Sequence, residues 1–230
     1  MEALRWESDA ELFALMKEHL FTAVVGDVMD KLGLVHQFLP PAVRPLSDEM
    51  TLAGRALTVL ECDCASAAVH ATGEDKPFGR MFEALDSLTK DQVYVCSGAS
   101  ERYACFGSLM ATRAMAAGAA GAVINGFVRD TRDLKKMGFP VFSTGRYAQD
   151  QGVRGRVVDW GCPLEFPGGV RVCPGDLIFG DVDGVLAVPR AREEEVVRLA
   201  FEKALGEAKV RELLASGVPS EQVFRDTGIM

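Results

Sequence analysis

With 230 residues, 48% of them hydrophobic and 25% charged, the chain is long enough for one large core or two small ones, and it needs no disulfide or metal merely to fold. Its 33 acidic against 25 basic residues leave a formal charge of −8, which argues against nucleic acid as the main partner, because a phosphate backbone calls for a basic footprint. No apolar run approaches the roughly 18 residues of a membrane span, and the acidic, amphipathic N-terminus lacks the basic and apolar segments of a signal peptide, so no membrane is expected and the expected location is the cytoplasm.

Ser8-Asp9-Ala10-Glu11 reads as a capping box ahead of a helix reaching about His19. Thr22 is placed to cap a second helix over 23–32, with Gly33 as its stop. Pro40, Pro41 and Pro45 break the chain before a strand over 53–60. A polar turn over 75–79 precedes a helix over 82–88. A short buried strand over 92–96 runs into a loop over 97–107, then an alanine-rich helix over 108–117 closed by Gly118. The alanines imply tight packing on a sheet. A strand over 121–125, a helix over 131–137 and a strand over 139–143 complete a βαβαβ series, which implies parallel strands with right-handed crossovers. Short strands over 153–158, 170–173 and 177–179 follow, and Asp183-Gly184 marks a hairpin into a strand over 185–188. One long charged helix runs from Ala191 to about Ser216. With no linker in view, residues 1–230 are expected to form a single α/β domain.

Six cysteines carry no paired zinc spacing, and several lie among apolar residues, so they read as reduced thiols. His19, His36 and His70 match no ligand pattern, and Asp181-x-Asp183-Gly184 is better explained as a hairpin than as a calcium loop. No glycine-rich phosphate loop is present. Arg129, Arg132, Lys135 and Lys136 form the densest basic cluster, read as a solvated face. Arg55, at a strand end, either faces a pocket or lies on the surface.

Parallel sheets bind ligands beyond the carboxyl ends of their strands, and two segments meet there. The loop after Cys96 ends at a helix start, where the free amides of Gly107, Ser108, Leu109 and Met110 favour an anion such as a carboxylate. The segment Gly126-Phe127-Val128-Arg129-Asp130 supplies a guanidinium able to grip a carboxylate by two hydrogen bonds and a carboxylate able to hold a hard divalent cation. Together they describe a site for a small oxo acid chelated to a metal. An Arg-Asp pair after a strand is on its own more often structural, with the Arg in a salt bridge and the Asp capping the next helix.

The run from Gly118 to Asp130, GAAGAVINGFVRD, together with Phe139-Pro140-Val141-Phe142, Pro174-Gly175-Asp176, Gly180-Asp181-Val182-Asp183-Gly184-Val185 and Val188-Pro189, resembles the family of the regulator of ribonuclease activity A and the class II 4-hydroxy-4-methyl-2-oxoglutarate aldolases, often mislabelled as demethylmenaquinone methyltransferases. Residues 22–27 and Gly54-Arg55 fit its N-terminal part, so the likeness covers nearly the whole chain. It implies a swivelling β/β/α domain assembled as a homotrimer or hexamer. It also implies cleavage of 4-hydroxy-4-methyl-2-oxoglutarate or 4-carboxy-4-hydroxy-2-oxoadipate with release of pyruvate, and decarboxylation of oxaloacetate. By the same likeness Arg129 binds the substrate carboxylate, Asp130 holds Mg²⁺ or Mn²⁺, and the amides of Ser108 to Met110 bind the pyruvyl carboxylate. Glu207 matches an acidic position reaching a neighbouring subunit's site, although a Glu on a charged helix is solvated by default.

One departure matters. In the aldolases an acidic residue precedes the Arg with twenty residues between them, and here that position is Ser108. Retro-aldol cleavage needs a base for the substrate hydroxyl, whereas metal-assisted decarboxylation needs only stabilisation of the enolate. The chain is therefore expected to be weakened more as an aldolase than as a decarboxylase, with Glu101 or Glu207 as substitutes for the missing group. A second expectation, of another class, is a non-catalytic regulator that masks a protein partner.

Overall fold

The first turn of the chain's first helix shows how local chemistry starts the fold. In the computed structural model, which describes residues 5–64 and 78–229, Ser8 Oγ accepts the Glu11 amide at 3.3 Å and the Glu11 carboxylate accepts the Glu7 amide at 2.8 Å, opening α1 (Asp9–His19). The second helix, α2 (Thr22–Lys31), corrects the expectation for Thr22. Thr22 lies inside the helix and donates both its amide and its hydroxyl, each at 2.7 Å, to the carboxylate of Asp181. The cap thus comes from a distant hairpin, whose own turn Asp181 also ties through the Asp183 amide at 2.9 Å. Asp181→Ala is expected to cost about 1.5 kcal/mol and lower the melting temperature by about 3–6 °C, read by thermal denaturation; an unchanged midpoint would show the cap to be idle.

The elements that follow are β1 (Arg44–Pro45), β2 (Leu52–Asp63), α3 (Met81–Asp86), β3 (Gln92–Ser97), β4 (Ala104–Phe106), α4 (Ser108–Ala116), β5 (Gly121–Val128), α5 (Thr131–Met137) and β6 (Val141–Arg146). After them come β7 (Gly155–Trp160), β8 (Leu164–Phe166), β9 (Val170–Val172), β10 (Leu177–Asp181), β11 (Gly184–Val188), a 3-10 turn at Arg190–Arg192, α6 (Glu193–Ala215) and α7 (Ser220–Thr227). The predicted βαβαβ core is present: β2, β3, β5 and β6 are parallel neighbours. Short elements beyond those expected include β1 within the proline-broken loop, β4 within the expected 97–107 loop, β8, and α7. Residues 75–77 of the expected polar turn, and His70, lie outside the described residues.

Antiparallel β10 and β11 continue the sheet beyond β2, and antiparallel β1 continues it beyond β6. Leu39 donates its amide to Val185 of β11, and Gln37 accepts the Ala187 amide, just before the prolines that lead into β1. The sheet is therefore nearly closed. Alternate residues of its strands point inward, so Val93, Val95, Val123, Phe142, Ile178 and Ala187 fill the interior, with Leu164, Phe166, Val170 and Val172 of the β8–β9 hairpin packed onto the same cluster. Outside, α3, α4 and α5 pack on one side through Leu85, Ala111, Ala114 and Leu134, the alanines allowing the close approach their abundance suggested. On the other side α1, α2 and α6 pack against β10 and β11. This is the swivelling β/β/α architecture expected, with the long C-terminal helix in place.

Arg55 is resolved as structural. Only 8% exposed, it pairs with Asp9 of α1 and Glu193 of α6, its Nε at 2.6 Å from Asp9 Oδ2, and its guanidinium lies 5.3 Å from the Phe13 ring centre. The Arg55 hydrogen bond holds the Asp9 carboxyl below its ordinary value. All six cysteines are free thiols. No helix among the described residues is long and apolar enough to cross a membrane.

Candidate active site

The site is built where β4 and β5 end side by side. Pairing with β4 explains why β5 runs to Val128, past its expected end at Asn125. Ala104 and Phe106 supply a new parallel partner where the β5–β6 register shifts between Ile124 and Phe127. The Arg129 amide then donates to Phe106 O at 2.9 Å, which locks the Arg-Asp pair against the start of α4.

Asp130 next turns into the left-handed region, at φ 57° and ψ 32°. Few residues other than glycine adopt this conformation, and aspartate is among them. Its carboxylate does not cap the helix that follows. It reaches back to α4, where Oδ2 accepts the Ser108 amide at 3.1 Å and the Ser108 hydroxyl at 2.9 Å. Oδ1 has no hydrogen bond among the described residues. Gly107 makes this approach possible: a Cβ there would stand 2.9 Å from Asp130 Oδ2 and 3.2 Å from Arg129 Cγ.

The expected quartet of free amides is therefore corrected in one member. The Ser108 amide is committed to Asp130, while the Leu109 and Met110 amides, in the first turn of α4, have no acceptor among the described residues. Gly107, Leu109, Met110, Arg129 and Asp130 all line one cavity of about 360 Å³, within the range of small-molecule sites. Arg129 is held there by a carboxylate that sequence reasoning missed, Asp150, with Nη1 to Oδ1 at 3.0 Å. The other Asp150 oxygen accepts the Gly152 amide at 2.8 Å. Nothing local in the Asp150-Gln151-Gly152 segment marks it as part of the site; a parallel bridge between Ala104 and Asp150 brings it there.

Glu207 does not join this group within the chain. It pairs with Lys203 one turn earlier on α6, and Lys203 also binds Asp27 of α2 at 2.9 Å. Glu207 lines a separate depression with His19, Phe21 and Arg211. Glu101 is likewise absent from the cavity wall. Among the described residues no cluster of three or more His, Cys, Asp or Glu side chains could hold a metal by itself.

Comparison with known proteins adds family context. The RraA-like family, described as Aldolase/RraA, matches residues 22–187. The chain is 30% identical over 208 residues to Protein DlpA of Legionella pneumophila, covering 89% of this chain but only 32% of that protein, so it spans about a third of that relative's length. It is 31% identical over 185 residues to a Halalkalibacterium halodurans protein named "Putative 4-hydroxy-4-methyl-2-oxoglutarate aldolase", covering 79% of each. Streptomyces coelicolor RraAS2, described as an unusual member of the RNase ES inhibitor RraA protein family, shares the fold, with a TM-score of 0.75 over 90% of this chain and 99% of that one at 23% identity.

Proposed function

The chain belongs to the RraA-like family, and from that premise we propose that it is a divalent-metal-dependent lyase that cleaves a carbon–carbon bond in a small 2-oxo acid and releases pyruvate. The observation that carries this reading is convergence: a guanidinium, two unengaged helix-start amides and a carboxylate oxygen without a hydrogen bond share one cavity wall. The aldolase name borne by one relative points the same way.

The donor set suits Mg²⁺ or Mn²⁺. Such hard ions keep several waters and bind through one or two carboxylates plus substrate oxygens, so a single carboxylate suffices. Asp130 is that ligand, through Oδ1, while Ser108 holds Oδ2 and fixes the plane of the group. When bound, the metal polarises the 2-oxo group and stabilises the negative charge that develops on it. Arg129 grips the substrate carboxylate, displacing Asp150, and the Leu109 and Met110 amides complete the anion cradle. Trimer or hexamer assembly and a cytoplasmic location belong to this same reading, and an assembled neighbour is the only route by which Glu207 takes part.

Purified protein supplied with oxaloacetate is expected to release pyruvate with Mg²⁺ or Mn²⁺, to lose that activity with EDTA, and to regain it on metal addition. Metal-independent rates or none at all would refute the lyase. Because Ser108 donates to Asp130 and carries no charge, decarboxylation should exceed retro-aldol cleavage. Ser108→Asp is expected to raise the aldolase-to-decarboxylase ratio about ten-fold or more. Equal and vigorous aldolase activity in the unaltered protein would overturn that expectation.

A second reading, a non-catalytic protein-binding regulator, draws on Ser108: its two bonds to Asp130 make that carboxylate partly a helix cap. Absence of metal-dependent pyruvate release would favour it.

A further inference from the structure

The cavity has two unlike kinds of lining. One is polar: Arg129, Asp130 and the amides. The other is apolar: Phe78, Met81, Phe82 and Leu85, from α3 and the residues just before it, and the side chains of Leu109 and Met110 of α4. Phe78 and Phe82 meet edge to face with ring centres 5.7 Å apart. Phe82 is 58% exposed and Leu109 81% exposed, so both present apolar surface to an incoming molecule. The charged lining residues of these two helices are Arg113 and Asp86, which bind each other at 2.8 Å. Among the described lining residues, therefore, Arg129 and Arg113 are the cations and each already meets a carboxylate, so once Arg129 takes the substrate's first carboxylate no unpaired cation awaits a second.

Resting on the lyase reading above, we propose that the substrate is a 2-oxo acid with an apolar, ring-sized substituent, bound with its carboxylate at Arg129 and its tail between Phe82 and Leu109. A dicarboxylate would have to strip water from its distal carboxylate against aromatic and aliphatic side chains and a neutralised ion pair. An aryl or alkyl tail gains by leaving water there. The volume of about 360 Å³ accommodates such a molecule, and the apolar wall is continuous with the polar one, as in small-molecule sites generally. For a 4-hydroxy-2-oxo acid with a 4-phenyl group the chemistry balances without a co-reactant. The C4 hydroxyl gives its proton to solvent water, the C3–C4 bond breaks, and C4 leaves as benzaldehyde. The electron pair remains on the pyruvate enolate, which takes a proton at C3.

Two measurements test this. Calorimetric binding in Mg²⁺ is expected to show 2-oxo-4-phenylbutanoate at least ten-fold tighter than 2-oxoglutarate. Pyruvate release is expected to show kcat/KM for 4-hydroxy-2-oxo-4-phenylbutanoate at least ten-fold above that for 4-hydroxy-4-methyl-2-oxoglutarate. Phe82→Arg, at an exposed position outside the anion cradle, should erase these ratios while oxaloacetate decarboxylation changes less than two-fold and the melting temperature holds. Tighter binding or faster turnover of the dicarboxylates by the unaltered protein overturns the proposal. So does a Phe82→Arg variant that leaves the ratios intact and changes the oligomeric state instead, since the patch would then be a contact between copies. Phenyl-selective binding without pyruvate from any substrate would uphold the recognition and sink the lyase; dicarboxylate-selective turnover would do the reverse.

Discussion

Asp130→Asn is expected to lower metal-dependent pyruvate release by 10²- to 10³-fold while leaving the fold intact. The substitution is nearly isosteric, and asparagine tolerates the left-handed backbone at φ 57° as aspartate does. Its side-chain oxygen can still accept the Ser108 amide and hydroxyl, so the start of α4 keeps its tie. What disappears is the charge that a hard cation requires. A loss of that size corresponds to about 3–4 kcal/mol in the barrier. The melting temperature should stay within about 2 °C. Asp130→Ala, by contrast, removes the tie as well and should cost about 1 kcal/mol of stability in addition to activity. Rates with saturating oxaloacetate across a Mg²⁺ titration, alongside thermal melts, separate the two contributions. An Asn variant with near-normal turnover would mean that Asp130 serves only the helix.

Glu61→Gln is expected to raise stability at alkaline pH, with an effect that fades in acid. Glu61 lies on β2, only 2% exposed, and neither carboxylate oxygen has a hydrogen-bond partner among the described residues. Burial pushes its carboxyl up to about 8; the nearby Tyr103 hydroxyl offsets part of the rise, and the Asp63 carboxylate adds to it. The folded protein therefore holds a proton that the unfolded chain releases near pH 4.5. Between those values the native state binds more protons, so stability falls as pH rises through the window and levels off above about 8. Below about pH 4 both states are protonated and the difference vanishes. Over pH 5 to 9 the lost stability amounts to roughly 4 kcal/mol, at about 1.4 kcal/mol per unit of displacement. A glutamine has no such dependence. Urea unfolding of both proteins at several pH values should show the variant's advantage over the parent growing by that order from pH 5 to 9. Parallel pH profiles would show that Glu61 is ionised in the native state.

The helices and strands that could be read from the chain share a property: their signals are local. The Ser8 capping box, Gly33 and Gly118 as stops, the largely apolar stretch of β2 and the Asp183-Gly184 hairpin all act within a few residues. The position of Arg129–Asp130 beyond β5 followed from strand-then-loop order in the same way. β4 and β8 were illegible because three residues carry no periodicity, and their strand conformation depends on partners elsewhere in the chain. Thr22 was misjudged for a related reason. A hydroxyl residue at a helix start looks like a cap unless a carboxylate 159 residues away is known to arrive.

By itself, then, the sequence determined the fold class, the parallel core, the absence of a basic footprint, and the meeting of Gly107 to Met110 with Arg129–Asp130 beyond the strand ends. Only the tertiary structure decided which of those groups are available. It committed the Ser108 amide to Asp130, brought Asp150 to Arg129, kept Glu207 on another face, and laid α3 beside α4 to give the cavity its apolar lining. The physical reason is that helix and strand formation respond to short-range hydrogen bonding and side-chain periodicity. Which carboxylate meets which amide depends instead on strand register and helix packing, and these bring together residues too far apart in the chain for any local pattern to couple them.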